Sequence, residues 1–367
     1  MDELFIGLMS GTSLDGADGV LAAFPEGRVQ VLAHAHRPFD PALRGELLAL
    51  NTPGDNELHR AALAANALAR TYGEVVTALR EAAPGRSVRA IGAHGQTVRH
   101  RPGLIDGTGY TLQLNAPALL AELTGIAVVA DLRSRDLAAG GQGAPLVPAF
   151  HHAQFARSRQ DIAVANIGGI ANLSLLGADG TVRGFDCGPG NALMDLWCLR
   201  HRGTAFDDRG RWAAEGRVLP ALLEAALSDP YFALLPPKST GRDDFHADWL
   251  DALLAAEPSA SAQDVQATLC ELTARTVADD VRRHLPRARE LPVCGGGALN
   301  DELMRRLAQA LPGSLIESTA SRGLAPLHVE AAAFAWLARA HLRGEPGNLS
   351  AVTGAHGPRL LGALYPA

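Results

Sequence analysis

Leu4-Phe5-Ile6-Gly7-Leu8-Met9-Ser10-Gly11-Thr12-Ser13-Leu14-Asp15-Gly16-Ala17-Asp18-Gly19 runs an apolar stretch into a turn of small hydroxyl residues, glycines and two aspartates. A second apolar run, Val20 to Phe24, leads away from it. A strand ending in such a turn exposes backbone N–H groups, hydroxyls and carboxylates at one point. Backbone donors of this kind cradle phosphate oxygens, and carboxylates hold the accompanying Mg²⁺ directly or through water. A glycine hairpin solubilised by aspartates has the same local signature, so the rest of the chain has to decide.

The pattern recurs. Ile162 to Ile167, Gly168-Gly169 and Ile170 to Leu176 again read as strand, glycine turn, strand, with Val182–Phe185 as a third strand. A third glycine turn, Gly295-Gly296-Gly297-Ala298-Leu299-Asn300, follows the apolar run Leu291–Cys294 and is expected to open a helix over Ala298–Ala310. One such turn is a backbone necessity more often than a ligand contact. Three, at strand ends in two similar halves, match the two phosphate turns and the adenosine turn of the actin, sugar-kinase and chaperone-ATPase superfamily. The chain lacks the GxxxxGK[ST] signature, which argues against a P-loop kinase.

Between these turns, strands Val20–Phe24 and Val29–Ala35 extend an antiparallel meander, and Arg89–Ala93, Tyr110–Leu114 and Ile126–Ala130 are further strands. Thr52-Pro53 is expected to start a long helix whose stripe is Leu58, Ala61, Ala65, Leu68, Tyr72, Val75 and Leu79. Later helices are expected at Ala192–Arg200, Ala213–Leu227, Ala262–His284 and about Val329–Leu342, with Leu315–Glu317 a strand. The 367 residues exceed one ordinary core. The expected architecture is therefore α/β: residues 1–150 form one domain, completed by the tail 344–367, and residues 151–343 form the other, with the ligand in the cleft between them.

Composition excludes several classes. Hydrophobic residues are 47% and charged residues 20% of a chain of net charge −6, as in soluble enzymes. That charge gives no reason to expect nucleic acid or an anionic membrane as partner. Met1-Asp2-Glu3 is acidic where a signal peptide is basic. The longest apolar stretch, Leu112 to Leu132, is interrupted by Asn115, Pro117 and Glu122. The cytoplasm is the expected location. Cys187, Cys198, Cys270 and Cys294 have no metal or disulfide spacing and read as reduced thiols. His151-His152 reads as a surface or boundary pair.

The chemistry is carried by four further segments. Phe185-Asp186-Cys187-Gly188-Pro189-Gly190-Asn191 puts a carboxylate at a strand end, where a general base is useful, with Asn191 placed to cap the next helix. His94-Gly95-Gln96-Thr97 follows a strand. Asp131-Leu132-Arg133-Ser134-Arg135-Asp136 follows another and runs into Ala138–Pro148; such arginines can hold a ligand carboxylate bidentately or form a solvated cluster. Lys238-Ser239-Thr240-Gly241-Arg242 contains the one lysine among 33 basic residues, a position that keeps an ammonium against a drift to arginine or survives by chance.

Taken in order, these motifs, with Glu330-Ala331, Ala333–Ala338 and Gly347–Gly354, resemble the anhydro-N-acetylmuramic acid kinase family from about residue 5 to the end. The resemblance implies a two-domain duplicated actin-like ATPase (ribonuclease-H-like) fold that uses ATP and Mg²⁺. The family opens the 1,6-anhydro ring of 1,6-anhydro-N-acetylmuramic acid with water and phosphorylates O6, giving N-acetylmuramic acid 6-phosphate in cell-wall recycling. Asp186 matches the catalytic base and Glu330 a second carboxylate near the attacking water. Gly11, Thr12, Ser13, Leu14, Asp15, Gly16, Ala17, Asp18, Gly168, Gly169, Gly295, Gly296, Gly297 and Asn300 are expected at ATP. Gln96, Thr97 and Arg133 are expected at the sugar, Arg133 on its lactyl carboxylate. No protein metal ligand is assigned, and a homodimer is implied. The chain departs from the family pattern at Leu132 (Phe expected), Asn115-Ala116 (Gly-Asp expected) and Leu327-His328 (Asp and an aromatic expected). The alternatives are a kinase of the same fold acting on another sugar or acyl acid, or a nucleotide-gated binding module.

Overall fold

The computed structural model of the protein describes residues 3–11, 13–241 and 243–367. The chain divides into two compact units, Met1–Gln154 with His328–Ala367, and Phe155–Leu327.

In the first unit β1 (Leu4–Met9), β2 (Gly16–Ala23) and β3 (Gln30–Pro38) form an antiparallel meander. β4 (Val88–Ala93) lies parallel to β1. β5 (Gln96–Pro102) and β6 (Gly109–Leu114) make a separate hairpin. β7 (Val128–Ala130) lies parallel to β4, and the tail strand Ala363–Tyr365 pairs antiparallel with β7. The sheet order is tail strand, β7, β4, β1, β2, β3.

The helix Glu57–Glu81 turns Ala65, Leu68, Tyr72, Val75 and Leu79 into the core, as their spacing requires. Leu58 was expected in that stripe but is 90% exposed in the first turn. Thr52 does not cap this helix; its hydroxyl donates to Ala49 O at the end of a separate helix, Pro41–Ala49. That helix has the signal sought at Thr52. Its Asp40 caps by accepting from Leu43 N at 2.9 Å, and Pro41 takes the first helical position.

The helix Val329–Leu342 belongs to the first unit, against its assignment to the 151–343 half. It packs on β1, β2 and β4. Its alanines allow this approach, and so does Gly7 on β1, where a Cβ would sit 1.8 Å from Ala331 O. His151 is fully buried in the helix Val147–Phe155, contrary to the surface reading, and burial holds its imidazole at a pKa of about 3.

In the second unit β8 (Ile162–Ile167), β9 (Ile170–Leu176) and β10 (Val182–Pro189) form another antiparallel meander. β11 (Glu290–Cys294) lies parallel to β8, and β12 (Leu315–Ser318) parallel to β11. The order β10, β9, β8, β11, β12 repeats the order β3, β2, β1, β4, β7 of the first unit, strand for strand. This is the duplicated ribonuclease-H-like arrangement. The helix Ala262–His284 lies in the core on β9 and β10. The single helix expected over Ala213–Leu227 is two, Arg211–Glu215 and Pro220–Leu227, because Gly216 ends the first and Pro220 starts the second.

All four cysteines are buried and none is disulfide-bonded. Among the described residues no helix is long and apolar enough to cross a membrane.

Candidate active site

The first unit contributes the opening turn. Leu14 N donates to Gly11 O at 3.2 Å, and Ser13 Oγ donates to Asp15 Oδ1 at 2.6 Å. Leu14 has a positive φ of 55°, and its side chain lies in the core, so only its backbone faces the turn. β2 starts at Gly16, which takes Gly16, Ala17 and Asp18 out of the expected turn and into a strand. Ala17 is fully buried. Asp18 Oδ1 meets His34 Nε2 at 3.0 Å and His36 Nδ1 at 3.2 Å, both from β3, and His34 stacks on His328 at 4.2 Å. Thr12 lies outside the described residues.

The sugar-side candidates of this unit form a connected set. Ser10 Oγ donates to Gly95 O at 3.1 Å. His94 is buried, and burial, with the adjacent Arg133 charge, keeps its imidazole well below its ordinary pKa and therefore neutral. Its Nδ1–H donates to Gly95 O at 2.7 Å, which leaves Nε2 as an acceptor for Arg133 Nε at 3.1 Å and Nη2 at 2.9 Å. Arg133 Nη1 donates to Gly143 O at 2.7 Å. Burial lowers the guanidinium to about 10, opposed by the charges of Glu330 and Asp136, so it stays cationic at neutral pH. Gln96 is 1% exposed and its Oε1 has no partner among the described residues, nor has the buried Oδ1 of Asn115. Buried acceptors without donors are costly and are suited to a ligand N–H or O–H. The Thr97 hydroxyl accepts from Gln113 Nε2 at 3.1 Å.

Glu330 sits in the first turn of Val329–Leu342, where the helix dipole favours a carboxylate. Burial nevertheless raises its pKa, Arg133 pulls it back, and Asp18 adds to the rise. Asp136, expected in the same charged run as Arg133, is fully buried and is a structural anchor. It accepts from Gly143 N at 2.7 Å, Asn348 Nδ2 at 2.6 Å and Thr353 Oγ1 at 2.7 Å, tying the tail to the loop that Arg133 also holds.

The second unit contributes the candidate base. β10 does not stop at Phe185; it runs to Pro189, and its register with β9 shifts between Asp186 and Gly188. A bulge of this kind re-aims a side chain out of the regular pleat. Asp186 Oδ2 accepts from Thr240 N at 3.1 Å, and Tyr231 Oη donates to Asp186 O at 2.7 Å. Burial raises the Asp186 carboxyl to about 6, against the Thr240 N–H and the Lys238 charge, which lower it. A carboxylate with a pKa this close to neutrality is a competent general base. Asn191 is the expected cap, but its side chain makes no cap bond; its Nδ2 donates to Ile167 O at 3.2 Å.

The Gly168-Gly169 turn is fastened from behind. Asn191 N donates to Gly168 O at 2.7 Å, and Gly190 N and Ala192 N donate to Gly169 O at 2.9 and 3.1 Å. The third turn does not open an α-helix. Gly296–Leu299 is a 3₁₀ turn, and the α-helix starts at Asp301 with Asn300 as its cap, Oδ1 accepting from Leu303 N at 2.9 Å. Gly295 has a φ of 76°, and a Cβ there would sit 2.6 Å from Ile167 O, so the strand end alone requires this glycine. Arg242 lies outside the described residues.

No group of three or more His, Cys, Asp or Glu among the described residues is placed to hold a metal ion by itself. The exposed Ser13–Asp15 pair fits a Mg²⁺ that arrives on nucleotide phosphates and needs only one or two protein carboxylates.

The anhydro-N-acetylmuramic acid kinase family profile matches residues 3–367. The chain belongs to that family. An anhydro-N-acetylmuramic acid kinase of Variovorax paradoxus is 64% identical over all of this chain and 99% of its own length. That of Cupriavidus metallidurans is 60% identical over 99% of this chain and 98% of its own. A solved structure, the ADPNP-bound activator of 2-hydroxyisocaproyl-CoA dehydratase from Clostridium difficile, aligns at 12% identity and a TM-score of 0.49 over 93% of this chain and 96% of that one. Strand order, not that likeness, carries the fold.

Within this kinase family the departures now have places. Leu132 is buried, and replaces one large apolar side chain by another. Asn115 lies beside Gly95, and His328 stacks on His34. Sequence reasoning gave His94 no role of its own and did not find Tyr231 beside Asp186. His94 was quoted as part of its motif, whereas Tyr231 carries no local signal.

Proposed function

We propose that this member of the anhydro-N-acetylmuramic acid kinase family couples hydrolysis of the 1,6-anhydro bridge to phosphorylation of O6, using ATP and Mg²⁺. Water adds to the anomeric carbon as the C1–O6 bond breaks. The proton of that water passes to Asp186, and O6 takes the γ-phosphoryl group in place of a proton. The products are N-acetylmuramic acid 6-phosphate and ADP. The first half is the base-assisted step of an inverting glycosidase. The second differs in that phosphorus, not a general acid, captures the leaving oxygen.

The observation that carries this reading is Asp186 itself: a carboxylate on a bulge, one oxygen fixed by Thr240 N–H, with a pKa of about 6. Glu330, whose pKa is raised by burial, is assigned as the second carboxylate of the reaction, as the family resemblance implies. Arg133, fixed by His94 and Gly143, is assigned to the lactyl carboxylate, and Gln96 Oε1 to a sugar donor. Backbone N–H groups of the Gly11–Asp15, Gly168-Gly169 and Gly295–Gly297 turns are assigned to nucleotide. Mg²⁺ bound with the phosphates would neutralise charge on the transferring group. A homodimer and a cytoplasmic location go with the family.

The test is turnover of 1,6-anhydro-N-acetylmuramic acid with ATP and Mg²⁺, followed by ADP release and phosphosugar mass. Asp186→Asn is expected to lower kcat about 10²- to 10⁴-fold, the usual share of a general base. It is expected to leave sugar binding by calorimetry nearly unchanged. Near-normal kcat in that variant would remove Asp186 from the role.

A further inference from the structure

The lone lysine of this arginine-rich chain is buried beside the candidate base. Lys238 Nζ pairs with Asp280 Oδ2 at 3.1 Å, and both side chains are almost wholly shielded from solvent. The ammonium also lies 5.0 Å from the Tyr231 ring centroid and 5.7 Å from that of Phe185. Its backbone is tied to the base as well, because Asp186 N donates to Lys238 O at 3.2 Å. Two residues further on, Thr240 N holds Asp186 Oδ2, and the Tyr231 hydroxyl holds Asp186 O. Lysine is suited to this place where arginine is not. A compact ammonium meets one carboxylate oxygen and two ring faces, whereas a planar fork would need a second acceptor edge.

We propose that Lys238 is a positioning residue for the hydrolytic half-reaction: clamped by Asp280, it holds the strap 238–240, and with it the Thr240 N–H, against Asp186. It makes no demand on a ligand. The proposal rests on the reading of Asp186 as the base. A buried ion pair is weak evidence for stability, since apolar replacements of similar volume are often neutral. Here the pair has a second task.

The other charged groups near the pair come from three sides. His284 and Arg283, on the helix that carries Asp280, face it, and Arg183 on β10 faces His284. Asp244 acts on Tyr231 from the loop after the strap. The buried Cys187 thiol, pushed well up by burial and by Asp280, stays neutral. Lys238 is the only one of these cations that acts directly on Asp186, and it lowers its pKa.

The test reads Asp186 itself. The protein is labelled with carboxyl-¹³C aspartate, and the Asp186 resonance is identified as the one missing in Asp186→Asn. In Lys238→Met its titration is expected to move up from about 6 by about one unit. The acidic limb of kcat/KM should move with it. Lys238→Arg, which keeps the charge, is expected to show a smaller upward shift than Lys238→Met. Should Lys238→Met fail to fold, the double variant Lys238→Met/Asp280→Leu replaces the whole pair with apolar volume and is expected to show the same upward shift. An unmoved Asp186 titration in a folded variant overturns the proposal. Retained turnover in Asp186→Asn instead overturns the base assignment, while the ¹³C shift still decides whether Lys238 governs Asp186.

Discussion

Asp186 concentrates the account at the residue scale. Its pKa of about 6 sets the pH dependence: the base must be ionised, so kcat/KM should rise through about pH 6 and level off above it. A pH series on the wild-type enzyme checks this. The same shift has a cost in stability. The folded-state pKa lies above the unfolded value, so folding favours the protonated form. The wild-type protein therefore loses stability as pH rises from about 4 to about 6. Asp186→Asn does not titrate and should be the more stable protein at pH 7 by up to about 3 kcal/mol, with the gap closing below pH 4. Urea denaturation at both pH values measures it. For Arg133, Arg133→Leu should raise the KM of the anhydro sugar at least about tenfold, since hydrogen bonds to charged groups contribute about 1.5–3 kcal/mol. An analogue with the lactyl carboxylate reduced to an alcohol should be nearly indifferent to the change, and equal losses for both compounds would contradict the assignment. Asp186 was singled out in the sequence because a carboxylate before a Gly-Pro-Gly turn is a local signal; the bulge it sits on, inside a strand that runs to Pro189, was not legible there. His94 and Asp136 were not legible as they act, because their meaning depends on partners far along the chain. His94 reaches Arg133, 39 positions away, and Asp136 reaches Asn348, 212 positions away. The run Asp131–Asp136 could be read as ligand-holding or as solvated, and neither reading singled out Asp136 as the buried member.

At the scale of elements, the helix Val329–Leu342 matters most to the first unit, because it carries Glu330 and lies directly on β1 and β4. Its close approach depends on Gly7. In Gly7→Ala the new Cβ would lie 1.8 Å from Ala331 O and 2.5 Å from Ala335 N, both backbone atoms, so the helix has to move. The variant should lose about 1–3 kcal/mol or more in urea denaturation, and Glu330 should lose its place with it. Gly45, in the helix Pro41–Ala49, has nothing within 4 Å of an added Cβ. Gly45→Ala should therefore gain about 0.5–1 kcal/mol. Equal effects at the two glycines would contradict this packing. The apolar spacing of 329–342 identified the helix and its limits, but an alanine-rich surface carries no address, and sequence order alone put it with the wrong half. Caps misled in a similar way. Thr52-Pro53 looked like a helix start, while the working cap was Asp40-Pro41. Asn191 stands at a helix start but spends its amide on Ile167 O, whereas Asn300 caps its helix through Oδ1. One side chain can serve either use, and only the tertiary neighbour chooses.

At the scale of the whole molecule, the repeated strand order is the feature the sequence conveyed best. Two glycine-turned hairpins announced two meanders, and both sheets continue from them in the same order. The tail 344–367 was expected with the first unit; what the sequence did not convey was that the helix Val329–Leu342 lies there too, alongside the edge strand Ala363–Tyr365. The activity proposed for this architecture differs from that of an ordinary sugar kinase in one respect: water, not a sugar hydroxyl, gives up the proton. The most direct measurement is therefore turnover of 1,6-anhydro-N-acetylmuramic acid with ATP and Mg²⁺ in ¹⁸O-labelled water, read by mass spectrometry. The account predicts a phosphorylated product with one ¹⁸O, located at the anomeric position, formed one for one with ADP. A phosphorylated sugar without the label would contradict it and make this an ordinary hydroxyl kinase.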